Sequence, residues 1–223
     1  MRNSIDQEWK GKVQDYSSAA FSLTELLVVI AIIVLLASML GPMLNSALRG
    51  TNLTQGADKV LGVLSLARQT AMTRNQTVEV RFYAYTDPET PGDTGQGHAL
   101  QPFVIDDSGN ATPIIKPALL PNMIVITTNS TLSSLLSSNT SNQSANTYKI
   151  PRVSTNYTCF SFRYYRSGLT SLVGQTTPAG DQNWCLSVIN VNGVSSNNTL
   201  PKNYTTFTVD PYNGEIKSYR PTL

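Results

Sequence analysis

The chain has 223 residues, room for one or two domains, with a net charge of +2 and only 13% charged residues. That balance excludes a strong electrostatic case for nucleic acid as the main partner. The Ser, Thr and Asn abundant after residue 127 suggest exposed, hydroxyl-rich strands and loops rather than a highly charged cytosolic surface.

Residues 1–19 are polar, with Arg2, Lys10 and Lys12 offset by Asp6, Glu8 and Asp15. A secretory signal places its small-residue cleavage site after an apolar run. In this chain the small residues Ser17 to Ala20 come before it, so a cut at that point leaves the hydrophobic segment attached. Phe21 to Leu40 makes a helix of roughly 30 Å, enough to span a bilayer. The cations ahead of it favour a cytoplasmic N-terminus. Val28, Val29, Ile30, Ile32, Ile33 and Val34 are modest helix formers in water, but in lipid the backbone must bond to itself. Glu25 interrupts the apolar segment, and a charge there costs on the order of 2–4 kcal/mol near a bilayer centre. A cut between Ala20 and Phe21 supplies a partner: a new amine of pKa about 8, one helical turn from its own Glu25 and within reach of a neighbour's.

Beyond Gly41 and Pro42, where the helix can bend, the pattern becomes amphipathic. Leu53, Ala57, Val60, Leu61, Leu64, Ala67 and Ala71 recur at three- and four-residue steps and mark one buried stripe. A helix over residues 22–74 is roughly 80 Å long. The remainder reads as β. Thr77–Tyr85 alternates Val78, Val80, Phe82 and Ala84 with more polar positions. Further strands are expected at Pro102–Asp106, Met123–Thr127, Thr158–Tyr165, Trp184–Val191 and Thr205–Val209. Asp210 to Gly214 reads as a turn with Glu215–Tyr219 as the return strand, Asn213-Gly214 favouring positive φ. Thr86–Gln101 and Thr128–Asn146 read as long loops.

No catalytic constellation emerges, and no cofactor or metal is expected. His98, the single histidine, lies in a Gly-rich loop. Asp87, Glu89, Asp93, Asp106 and Asp107 can offer oxygen ligands to calcium, but loop acids are more often simply solvated. The Asn-x-Ser/Thr triplets at Asn75, Asn110, Asn129, Asn142 and Asn203 are weak evidence for glycosylation in so Asn- and Thr-rich a chain. Phe160, Phe162 and Tyr164 alternate onto one strand face, which is core packing. Arg68 and Arg74 read equally as solvated helix charges or partner contacts, and Arg163 and Arg166 offer only a weak case for DNA binding, because no basic run accompanies them. Cys159 and Cys185, on two expected strands that can be sheet neighbours, suffice for one disulfide.

Ala20-Phe-Ser-Leu-Thr-Glu25, followed by Leu26-Leu-Val-Val-Ile-Ala-Ile-Ile-Val-Leu-Leu, resembles the N-terminal segment of type IV pilins and type II secretion pseudopilins. Ala67-Arg68, Ala71, Arg74-Asn75 and the Val78–Val80 strand narrow the resemblance to H-type minor pseudopilins and FimT-like minor pilins. One departure is Ala20, where the family usually has Gly. The resemblance implies prepilin peptidase cleavage between Ala20 and Phe21, N-methylation of Phe21, and a role for Glu25 in assembly. It implies an α+β, pilin-like fold: a long N-terminal helix, transmembrane in its first half and amphipathic in its second, packed on an antiparallel β-sheet head. The divisions are a leader at 1–20, a transmembrane and filament-core helix at 21–41, an amphipathic helix at 42–75 and a periplasmic head at 76–223. The implied function is a non-enzymatic filament subunit, a minor pseudopilin of a secretion system, single-pass in the bacterial inner membrane. Its implied partners are prepilin peptidase, other pilins or pseudopilins and membrane lipid, without nucleic acid. A minor type IV pilin serving adhesion, DNA uptake or pilus priming is the alternative, and a signal-anchored periplasmic enzyme or binding protein is a third.

Overall fold

The computed structural model describes residues 22–137, 140–144, 149–151, 153, 156–177, 183–194 and 199–221, with the backbone only at residues 39–47 and 140–144. Among the described residues one α-helix, α1 (Leu23–Thr73), is followed by ten short strands. The chain divides into two compact units, Met1–Asn45 and Ser46–Leu223.

In the first unit the described residues form the start of α1, helical across Gly41 and Pro42. In the second unit α1 continues to Thr73 and stops as Arg74-Asn75 requires. Asn75 takes φ +53°, and the Gln76 amide donates to the Ala71 carbonyl at 3.2 Å, a Schellman-type closure with Asn in the usual glycine place. Leu53, Ala57, Val60, Val63, Leu64, Ala67 and Ala71 are buried along one face. The expected stripe is thus present, except that Leu61 is only partly buried and Val63 joins it.

The strands are β1 (Thr77–Ala84), β2 (Gly97–Ile105), β3 (Ala111–Pro113), β4 (Ala118–Leu119), β5 (Ile124–Ile126), β6 (Thr140–Ser144), β7 (Asn156–Tyr164), β8 (Trp184–Asn190), β9 (Tyr204–Val209) and β10 (Ile216–Tyr219). All ladders are antiparallel, in the order β10-β9-β8-β5-β2-β1-β7-β6, with β3 and β4 also on β2. The fold is therefore α+β, with the amphipathic part of α1 on one face of an antiparallel sheet. Val80, Phe82, Leu100, Ile126, Phe162, Tyr164, Trp184, Leu186 and Phe207 face the helix stripe and form the main core. Tyr83, Tyr85, Ala99, Tyr157 and Cys159 pack on the opposite face.

Two expected loops hold structure instead. Gly97–Gln101 is the first half of β2 rather than the end of a loop. Its residues are buried on both faces, which erases the period-two signal, and its Gly and Ala are depleted in strands. Within Thr128–Asn146 lies a 3₁₀ turn, Ser134–Ser137, whose Leu135 and Leu136 enter the main core. Ser133 Oγ accepts from the Ser187 amide at 3.0 Å and Ser134 Oγ from the Cys185 amide at 2.9 Å. Hydroxyls thus satisfy β8 where β5 does not reach, since β5 pairs only with Val188, Ile189 and Asn190. The closing hairpin is as expected: the Gly214 amide donates to the Asp210 carbonyl at 2.9 Å, with Gly214 at φ +66°.

The two halves of the sheet meet at one residue pair, Gly97 with Ile126. A Cβ on Gly97 would lie 3.0 Å from Ile126 Cβ and 3.3 Å from its carbonyl oxygen. Neither atom can move without parting the strands. Gly97→Ala is expected to destabilise the head by about 1–3 kcal/mol, read as a lower urea midpoint with an unchanged m-value. A wild-type midpoint would show that the junction is slack.

Candidate functional site

At its start, α1 closes on its own carboxylate. The Glu25 amide donates to Ser22 Oγ at 3.2 Å, and the Ser22 amide donates to Glu25 Oε2 at 3.2 Å. This reciprocal pair is a capping box, Ser-x-x-Glu, which satisfies two donors that a helix N-terminus otherwise leaves open. The spacing of Ser22-Leu-Thr-Glu25 signals such a cap, whereas the family resemblance assigns Glu25 only a role in assembly. A carboxylate bonded to the Ser22 amide also favours the positive end of the helix dipole. Ala20 and Phe21, the expected cleavage and methylation positions, lie with the leader outside the described residues.

Leu23, Leu26, Leu27, Val28, Val29, Ile30, Ile32, Ile33, Val34, Leu35 and Leu36 follow, and each is between 47% and 80% exposed. They occupy every side of the helix. A helix apolar all round is normally buried, and within its own unit nothing among the described residues covers this one. Among the described residues, whose side chains run to Ser38 and resume at Leu48, no helix is long and apolar enough to cross a membrane.

The loop acids hold the chain to itself. Asp93 Oδ2 lies 2.8 Å from His98 Nε2 and accepts from the Asp87 amide at 2.6 Å, while its Oδ1 accepts from the Gln96 amide at 3.2 Å. Asp87 accepts from the Glu89 amide at 3.0 Å and from Thr90 Oγ1 at 3.1 Å. His98, on β2 rather than in a loop, packs against Tyr85 with ring centroids 4.9 Å apart and planes tilted by 36°. The adjoining cavity is about 10 Å³, room for about one water and no substrate. Asp106 accepts from Ser108 and from both nitrogens of Asn110, and the Asn110 bonds hold its carboxyl below the usual range. Among the described residues no three His, Cys, Asp or Glu side chains converge to hold a metal ion.

A buried ion-pair network is a feature that sequence reasoning missed. Glu79 is 5% exposed, and it accepts from Arg81 Nε and from Arg163 Nε, each at 2.7 Å. Burial opposes the Arg81 charge, but the hydrogen bond and charge of Glu79 outweigh it and raise the guanidinium above its ordinary value. Arg81 also lies 4.3 Å over the Phe103 ring. The available signal was the spacing of Glu79 and Arg81, two residues apart and thus on one strand face; the partner Arg163 is directly opposite on β7.

The expected disulfide is corrected. Cys159 and Cys185 are separate thiols, on β7 and β8, with β1, β2 and β5 between those strands. Cys159 packs with Tyr83 and Tyr157, whereas Cys185 Sγ meets Ser134 Oγ at 3.4 Å. Chain order sets β7 and β8 next to one another, but in the sheet the neighbours of each are other strands.

Compared with protein-family models, curated proteins and solved structures, the chain has no match. The thiol arrangement is open to direct measurement: protein denatured without reductant is expected to take up two equivalents of alkylating reagent by intact mass. Uptake only after reduction would establish a bond between Cys159 and Cys185 and overturn this strand order.

Proposed function

We propose that this chain is a membrane-anchored, non-enzymatic filament subunit of the type IV pilin and type II secretion superfamily, serving as a minor pseudopilin. The observation that carries the reading is the exposed apolar surface of α1 between Leu23 and Leu36. Covering a large apolar side chain is worth about 1.5–3 kcal/mol. The eleven exposed side chains from Leu23 to Leu36 therefore favour cover by on the order of 20 kcal/mol in all. The single carboxylate, Glu25, opposes this by only about 3 kcal/mol. Apolar burial wins by a wide margin. Lipid supplies it before assembly, and neighbouring helices supply it within a filament core. In sequence the apolar run continues to Leu40, long enough to cross a bilayer.

In this reading Glu25 serves helix-by-helix assembly. After cleavage before Phe21, the new amine immediately precedes the Ser22–Glu25 cap. An incoming neighbour then offers its own amine to the same carboxylate, neutralising both charges as they leave water and fixing the axial register. The β-rich head stands on the periplasmic side, and prepilin peptidase, other pilins and inner-membrane lipid are the partners.

Co-expression with prepilin peptidase and partner pilins is expected to yield a mature chain beginning at Phe21 by N-terminal mass spectrometry. Gln suits the capping position as Glu does, so Glu25→Gln keeps the cap and removes the charge, whereas Glu25→Leu removes both. Both variants are expected to be cleaved normally and to enter filaments at least tenfold less than wild type. Wild-type incorporation of Glu25→Gln, with loss only in Glu25→Leu, would reduce Glu25 to a helix cap. A mature chain beginning after residue 40 would overturn the filament reading altogether.

A further inference from the structure

Three turns of the head close around one open groove of about 800 Å³. Arg74, Asn75 and Gln76 at the end of α1 form one wall, Asp106 and Asp107 after β2 a second, and Tyr165 to Leu169 after β7 the third. The walls are held before anything binds. Asn75 ends the helix in its left-handed conformation. Hydrogen bonds to and from Asp106 fix the second turn. In the third, the Tyr165 amide donates to the Leu169 carbonyl at 2.8 Å and the Gly168 amide to the Tyr165 carbonyl at 2.9 Å.

The charges in the groove are divided between its walls. Arg163 is already paired with Glu79. Arg74 and Arg166 are exposed, and neither guanidinium makes a hydrogen bond or ion pair among the described residues. Across from them the Asp106 carboxylate is occupied by its own turn, whereas the Asp107 carboxylate has no such bond among the described residues. Tyr165 and Leu169, 38% and 39% exposed, add apolar surface between these charges.

We propose that this groove docks an extended peptide segment of a partner protein, one carrying a carboxylate toward Arg74 and Arg166 and a cation toward Asp107. The volume lies within the range of about 300–1,000 Å³ typical of ligand clefts, enough for a few residues of extended chain. A polyphosphate strand fits less well, because its continuous negative charge meets Asp106 and Asp107, and the whole chain carries a net charge of only +2. Charged groups arranged in this way select partners and fix register more than they add raw affinity, and the Tyr165 ring is the natural anchor. The groove lies within the second unit and uses none of the residues from Leu23 to Leu36 that carry the filament reading, so either can fail without the other.

The full chain in mild detergent is panned against a random dodecapeptide library, with the Arg74→Ala/Arg166→Ala double variant as counter-target. Enriched peptides are expected to combine Asp or Glu with Lys or Arg. By fluorescence anisotropy their affinity should fall roughly tenfold in the double variant and weaken as salt screens exposed charges. Arg74→Lys/Arg166→Lys should recover most of the binding, which a change in folding would not allow. Asp107→Ala should relax the need for a cation in the peptide. No enrichment over the double variant, or peptides indifferent to it, would overturn the proposal. So would tighter binding of a labelled oligo(dT) at the same arginines, which would make the groove a nucleic-acid site.

Discussion

The constraint on which everything else rests is that α1 carries two surfaces with incompatible needs. From Leu23 to Leu36 the helix is apolar on every side and exposed. From Leu53 to Ala71 it is apolar on one stripe only, and that stripe is covered by the sheet. Water cannot serve the first surface, and the head leaves the second no need of anything else. A helix built this way demands an apolar environment for one part and an aqueous one for the other. In the reading proposed above, membrane anchoring meets both demands, and packing among like helices is the other place where the same surface can be hidden.

The head meets its side of this constraint with unusual economy in charge. One buried carboxylate, Glu79, is held by two arginines from two strands. The remaining polar demands fall to hydroxyls and turn carboxylates, as where Ser133 and Ser134 complete the edge of β8. This gives a physical reason for a chain so rich in Ser and Thr: short strands leave backbone groups that side-chain oxygens must satisfy. Three of the acids that looked available for calcium are also drawn into this local bonding. Asp87, Asp93 and Asp106 are committed to amides of their own loops.

Much of the helix and of the main core was legible because each rests on local periodicity. The stripe from Leu53 to Ala71, the alternation around Phe82, and the Asn213-Gly214 turn are patterns within a dozen residues. What escaped was decided by distant parts of the chain. Gly97 to Gln101 became a strand because β1 pairs along one side of it while β5 at Gly97 and β4 at Ala99 and Leu100 pair on the other. The separation of Cys159 from Cys185 depends on strand order, which hydropathy does not encode. Glu79 looked like a solvent-facing position in an alternating strand until Arg163 was brought opposite it. At the candidate site, the Ser22–Glu25 cap is encoded in the Ser-x-x-Glu spacing, whereas the apolar surroundings bear only on the charge of Glu25.

Membrane anchoring and filament assembly both require that the apolar half of α1 be hidden from water. In a background lacking Cys159 and Cys185, single cysteines at Ile32 and at the exposed strand position Thr112 can be compared by labelling opened native membranes with an impermeant maleimide. Thr112→Cys is predicted to react readily while Ile32→Cys resists until the chain is denatured. Equal reaction at the two positions would show that this helix stays in water, and would contradict the membrane and filament role together.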